Sequence, residues 1–187
     1  MRASEIQDKI LFSRLKSKDK QAFIKAYDLY IDQIYRFIFF KVGRKEEAED
    51  LTSAVFLKTW NYIKDGNLTN YKTLRALIYK IARNLIIDHY RKVSHEETIA
   101  IDNPNIKIDL ADVKQDISRQ VELTADFIII ENKLSELKDK YREVIILRFI
   151  NELSIAEIAE ILNKSKGNTR VLVFRALKAL RELVSEK

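Results

Sequence analysis

The sequence predicts an all-α protein of two small helical domains joined by an acidic linker, the second domain built around a helix-turn-helix. Three observations carry this. Only 3 glycines and 1 proline occur in 187 residues, too few special-φ/ψ residues for a turn-rich β architecture. Apolar residues recur at three- and four-residue spacing along most of the chain, the period of a helix with one buried face. Charge is also partitioned: residues 1–92 carry a balance of +8, residues 93–126 one of −5 and residues 127–187 one of +3. The acidic stretch holds Pro104 between Asn103 and Asn105 and has no sustained helical period, so it reads as the linker.

In the first domain, 1–92, helical spacing runs through 10–15, 22–40, 45–63 and 73–91. The last of these is expected to bury Leu74, Leu77, Ile78, Ile81 and Leu85, and to turn Lys80, Asn84, Ile87 and Arg91 to another side with Arg83 and Tyr79 nearby. The loop before it, 65–72, is polar and contains Asn67 and Tyr71. In the second domain, 127–187, the pattern runs through 128–137, 140–149, 155–162 and 166–184. Ser154 and Glu157 have the spacing of a capping box that opens a short helix. Asn163 and Lys164 stop that helix, and Ser165 can cap the next. Two short helices across a tight turn, the second one basic, form a helix-turn-helix pattern.

Composition excludes much chemistry. With no cysteine there is no disulfide, thiolate metal site or cysteine nucleophile, and His89 and His95 have no cysteine partners for a zinc cluster. The isolated glycines form no phosphate-cradling loop. No metal site, cofactor or catalytic constellation is expected, and the chain is not read as an enzyme. The longest apolar runs are four residues, against the eighteen or so a membrane span needs. No membrane insertion is expected, and the chain reads as soluble and cytoplasmic.

What remains points to a polyanion. On the last helix, Val173, Ala176, Leu177, Leu180 and Val184 have core spacing. Arg170, Phe174, Lys178 and Arg181 line the opposite face, flanked by Val171 and Arg175. A basic face at the start of a second helix supplies what major-groove entry needs: phosphate neutralisation and side chains that reach base edges. In the first domain, Asn67, Tyr71, Lys80, Arg83 and Asn84 bring amide, aromatic and basic groups together. Unstacked bases offer such groups π faces and free hydrogen-bonding edges.

With these residues in view, the chain resembles the bacterial sigma factors of the extracytoplasmic-function type. Residues 22–27, 34–37, 48–51 and 55–60 look like the core-binding helices, 81–88 with Arg91 like the promoter-melting helix, and 153–162 with 166–176 like the C-terminal helix-turn-helix. The resemblance implies a non-catalytic factor that joins RNA polymerase core, recognises the −10 and −35 promoter elements and helps open the DNA. It implies that Asp50, Leu51, Phe56 and Trp60 meet the clamp of the largest polymerase subunit. Asn84 and the loop 65–72 would handle the unpaired strand, while Arg170, Val171, Phe174 and Arg175 face the −35 duplex. An anti-sigma factor is a further partner of the kind such proteins have. Ser53 and Ala54 stand where the family often has Gln-Glu, and Leu77 stands where it has tryptophan. A second reading stays open: a two-domain helix-turn-helix regulator that never joins polymerase core.

Overall fold

The computed structural model describes residues 3–68, 74–100 and 133–185. Four helices form the first half: α1 (Ala3–Lys16), α2 (Lys20–Val42), α3 (Lys45–Lys64) and α4 (Leu74–Ala100). Asp19 caps α2 by accepting from the backbone N–H groups of Gln21 and Ala22 at 2.8 and 3.3 Å. A hydrogen bond from Arg14 Nε, 2.7 Å away, holds the Asp19 carboxyl below its ordinary pKa. At the other end Gly43 takes φ +76°, and its N–H closes on the Phe39 carbonyl. Glu46 and Glu47 in the first turn of α3 face the positive end of that helix. Ile34, Phe37 and Ile38 of α2, Val55 and Ile63 of α3, and Ile78, Ala82 and Ile86 of α4 are nearly inaccessible and form the core.

The second half has α5 (Asp139–Ile145), which widens into a π-helical turn (Ile146–Ile150), then α6 (Ile155–Ile161) and α7 (Lys166–Ser185). The Asn151 N–H reaches back five residues to the Ile146 carbonyl at 2.9 Å, the long bond that defines the wide turn. Val144, Ile146, Leu147, Leu153, Ile158 and Ala176 fill the space between these helices. Val184, expected on the core side of α7, is 58% exposed.

Two further expectations are revised. The helix predicted over 73–91 continues to Ala100, eight residues into the segment read as having no helical period. Residues 93–100 contain no glycine or proline to break the helix. The rest of the linker, 101–126, lies outside the described residues. Tyr79, expected beside the nucleic-acid side of α4, is fully buried and meets Phe37 edge-on at 5.4 Å. The cause is that α4 packs on both sides: against α2 and α3 of its own domain and against α6 of the other. A single-face reading of its periodicity could not show the second contact.

Candidate nucleic-acid and polymerase interfaces

The turn before α7 is built as its residues require. Ser154 Oγ accepts from the Glu157 N–H at 3.2 Å while the Glu157 carboxylate accepts from the Ser154 N–H at 2.8 Å, completing the capping box. Asn163 ends α6 with φ 52°, a left-handed conformation that asparagine adopts more readily than most residues. Ser165 then caps α7 through the Asn168 N–H at 3.1 Å. Thr169 is fully buried, and its hydroxyl donates to the Ser165 carbonyl at 2.9 Å, so its polar atom costs little there.

This turn presents the predicted face outward. Arg170, Arg175 and Lys178 are exposed, with Val171 at 48% and Phe174 at 69%. Two-thirds exposure of a phenylalanine amid cations suits apolar contact with a base as well as phosphate attraction. A cleft of about 300 Å³ lies beside this face, lined by Lys140, Tyr141, Lys164, Asn168, Val171, Leu172 and Arg175. Sequence reasoning missed Lys140, Tyr141, Lys164 and Asn168. Lys164 and Asn168 sit in and just after the turn, where a cation and an amide were available to notice. Lys140 and Tyr141 are brought there only by the packing of α5 against α7.

On α4, Asn84 is exposed, as is Asn67 in the loop, while Tyr71 lies outside the described residues. Lys80 and Arg83 are part-exposed and already engaged. Lys80 Nζ lies 3.7 Å from Glu160, and Arg83 Nε donates to Glu143 at 2.9 Å. Burial pushes the Glu143 carboxyl above its ordinary range, and the Arg83 and Lys41 cations pull it part of the way back. Arg91, farther along α4, is exposed beside Asp88.

On α3 the four expected residues divide. Asp50 is exposed and Leu51 half-buried. Phe56 is 4% exposed and tilts against Tyr27 at 4.6 Å, whereas Trp60 is half-buried against Phe23 at 4.8 Å. Both rings hold α3 onto α2, so Phe56 offers little surface. The residue that reasoning missed is Leu57, 63% exposed and on the face of Asp50 and Ser53. Its signal was present: it falls out of step with the buried series Ala48, Thr52, Val55, Thr59 and Ile63.

Known proteins fit this geometry. A family model described as Sigma-70 region 2 matches residues 26–96, and one described as Sigma-70, region 4 matches residues 127–180. The chain is 30% identical to the ECF RNA polymerase sigma factor SigW of Bacillus subtilis, over 95% of this chain and 97% of the relative. It is also 30% identical to the ECF sigma factor BldN of Streptomyces coelicolor, over 94% of this chain but only 65% of that longer protein. In fold it is similar to CnrH, solved with the cytosolic domain of CnrY, at a TM-score of 0.69 and 20% identity over 95% of this chain and 96% of that one. It is similar too to the sigma factor RpoE of Bartonella quintana, solved with the anti-sigma factor NepR, at a TM-score of 0.64 and 22% identity over 88% and 98%. The two helical units, in this order and over nearly the whole length of SigW, place the chain in the family of ECF RNA polymerase sigma factors.

Proposed function

We propose that this chain is a cytoplasmic, non-catalytic transcription initiation factor that joins RNA polymerase core and directs it to promoters. In this reading α7 enters the −35 duplex with Arg170, Val171, Phe174, Arg175 and Lys178. The cleft residues Lys140 and Lys164 hold the adjacent phosphates. Asn84, Lys80, Arg83, Asn67 and Tyr71 serve the unpaired strand at the −10 element. Asp50, Ser53 and Leu57 meet the polymerase clamp, while Leu51, Phe56 and Trp60 shape that surface from behind. The domains are 1–92, extended by the end of α4 to Ala100, and 127–187, with the rest of 93–126 as the acidic connection. An anti-sigma factor is the inhibitory partner this family implies.

One observation carries the reading: the capped turn and the outward cationic face of α7 occur in a chain that also has the sigma region 2 helices. A regulator independent of polymerase would need a sensor in that first half, so the alternative is not favoured. The direct test is affinity purification with core polymerase. Wild type should retain the core subunits. Leu57→Asp should release them while leaving helicity and thermal stability near wild type, because the side chain is mostly in water. Equal retention of core by wild type and Leu57→Asp would remove Leu57 from the clamp surface.

A further inference from the structure

The cleft beside α7 has a chemistry that the open face of that helix lacks. Its volume of about 300 Å³ reaches the lower end of the range of small-molecule sites. Three cations converge on it: Lys140 from α5, Lys164 from the turn and Arg175 from α7. None of the three forms an ion pair among the described residues, and no carboxylate among them lines the cleft. The acids of α5 and α6 are drawn the other way, Asp139, Glu143, Glu157 and Glu160 pairing with Lys41, Arg83, Arg75 and Lys80 of the first half. Glu182, the acid of α7, lies 3.8 Å from Lys178. A concave site lined by one sign of charge focuses its field and concentrates counter-ions, so this cleft attracts an anion.

The rest of the lining is more than a phosphate alone needs. Tyr141 is half-buried against the core, which fixes its ring, and the Lys140 ammonium stands 5.2 Å from the ring centre. Val171 and Leu172 add an apolar wall. Asn168 has its backbone N–H held by Ser165 Oγ at 3.1 Å, while its side-chain amide has no partner among the described residues and offers both a donor and an acceptor. A fixed ring, an apolar wall and a free amide suit a planar base. Three unpaired cations beside the positive end of α7 suit a short phosphate chain. Duplex DNA spreads its charge, about one per 3.4 Å of axis on each strand, whereas a polyphosphate concentrates several on adjacent groups. We propose that this cleft binds a nucleoside polyphosphate, the base against Tyr141 and Asn168 and the phosphates against Lys140, Lys164 and Arg175. Val171 and Arg175 also face the −35 duplex in the function proposed above, so the bound nucleotide excludes that duplex and ties −35 binding to nucleotide supply. The competition rests on that reading; the site itself does not.

The test is calorimetric titration of the full chain with magnesium-free ATP, GTP and inorganic tripolyphosphate at constant ionic strength. Wild type should bind at least one of the nucleotides more tightly than tripolyphosphate. Lys140→Ala with Lys164→Ala should weaken that binding about tenfold or more, because two charge-assisted contacts are lost. Tyr141→Leu keeps apolar packing but removes the stacking ring, and should weaken the nucleotide about fivefold while leaving tripolyphosphate unchanged. Should Tyr141→Leu lose its fold by circular dichroism, Asn168→Ala at an exposed position reports on the base in its place. Lys16→Ala with Lys20→Ala removes equal charge at exposed positions of the first half and should change neither ligand. Absence of nucleotide binding overturns the site, as does equal weakening by the two lysine pairs, which would reduce it to net charge. Nucleotide binding no tighter than that of tripolyphosphate overturns the assignment of a base. Fluorescence anisotropy of a labelled −35 duplex then measures the competition, and the nucleotide should displace the duplex at concentrations near its calorimetric Kd. A duplex that stays bound at saturating nucleotide, while Arg175→Ala still weakens it, overturns the competition. If Arg175→Ala leaves duplex binding unchanged, the −35 assignment has failed and the nucleotide site is judged on the calorimetry alone.

Discussion

At the scale of single residues, exposure separates those that read DNA from those that hold the fold. Arg170 and Arg175 stand free on α7, so truncating either to alanine should spare stability. It should cost roughly 1–3 kcal/mol in binding to a preferred −35 duplex and relax specificity at one position. Loss spread evenly over all sequences, with a shallower salt dependence, would mark a phosphate contact instead. Competitive gel shifts over a set of duplexes distinguish these outcomes. Glu143 behaves differently because it is buried among Arg83, Lys41 and Asp139. Its raised pKa means the folded state binds a proton more tightly than the unfolded one above the ordinary value of 4.5. Stability therefore falls as pH rises through the window between the ordinary and the raised value. Glu143→Gln should gain stability relative to wild type between pH 4.5 and pH 7, read from urea midpoints at each pH. A gap that is the same at both would show that burial of this charge is not the governing cost.

At the scale of elements, the helix ends were the most legible feature. Ser154, Glu157, Asn163 and Ser165 announced the α6–α7 turn because caps are local chemistry, independent of what packs nearby. Ser154→Ala should accordingly lower unfolding stability by about 1 kcal/mol, measured by denaturant titration, and should weaken −35 binding in proportion to the loosened turn. A Ser154→Ala protein with wild-type stability would mean that Glu157 alone sustains the helix start. What the sequence hid was the second packing partner of α4. Periodicity reports that a helix has a buried face, but a helix sandwiched between two layers buries Tyr79 on a side that appears free when only one layer is assumed. Leu57 was hidden for the opposite reason. A leucine is read as core by default, and only its register against its neighbours shows that it faces water. Lys140 and Tyr141 join the α7 cleft through a contact between distant segments, which no local pattern encodes.

At the scale of the whole molecule, charge is arranged on three levels: a cationic first domain, a second domain with acidic and basic sides, and an acidic connection between them. Each level favours contact with nucleic acid at two separated places and discourages it elsewhere. Opening of DNA is expected to depend on Asn84, whose exposed amide can pair with an unstacked base edge. The measurement that tests this account most directly is run-off transcription by core RNA polymerase over a library of promoters, with wild type, Asn84→Ala and Arg175→Ala compared on duplex and pre-melted templates. The account predicts discrete transcripts that require the added chain. It predicts too that the Asn84→Ala defect is relieved by pre-melting while the Arg175→Ala defect persists on promoters that depend on the −35 element. Core polymerase that starts at the same sites with and without the chain would contradict it.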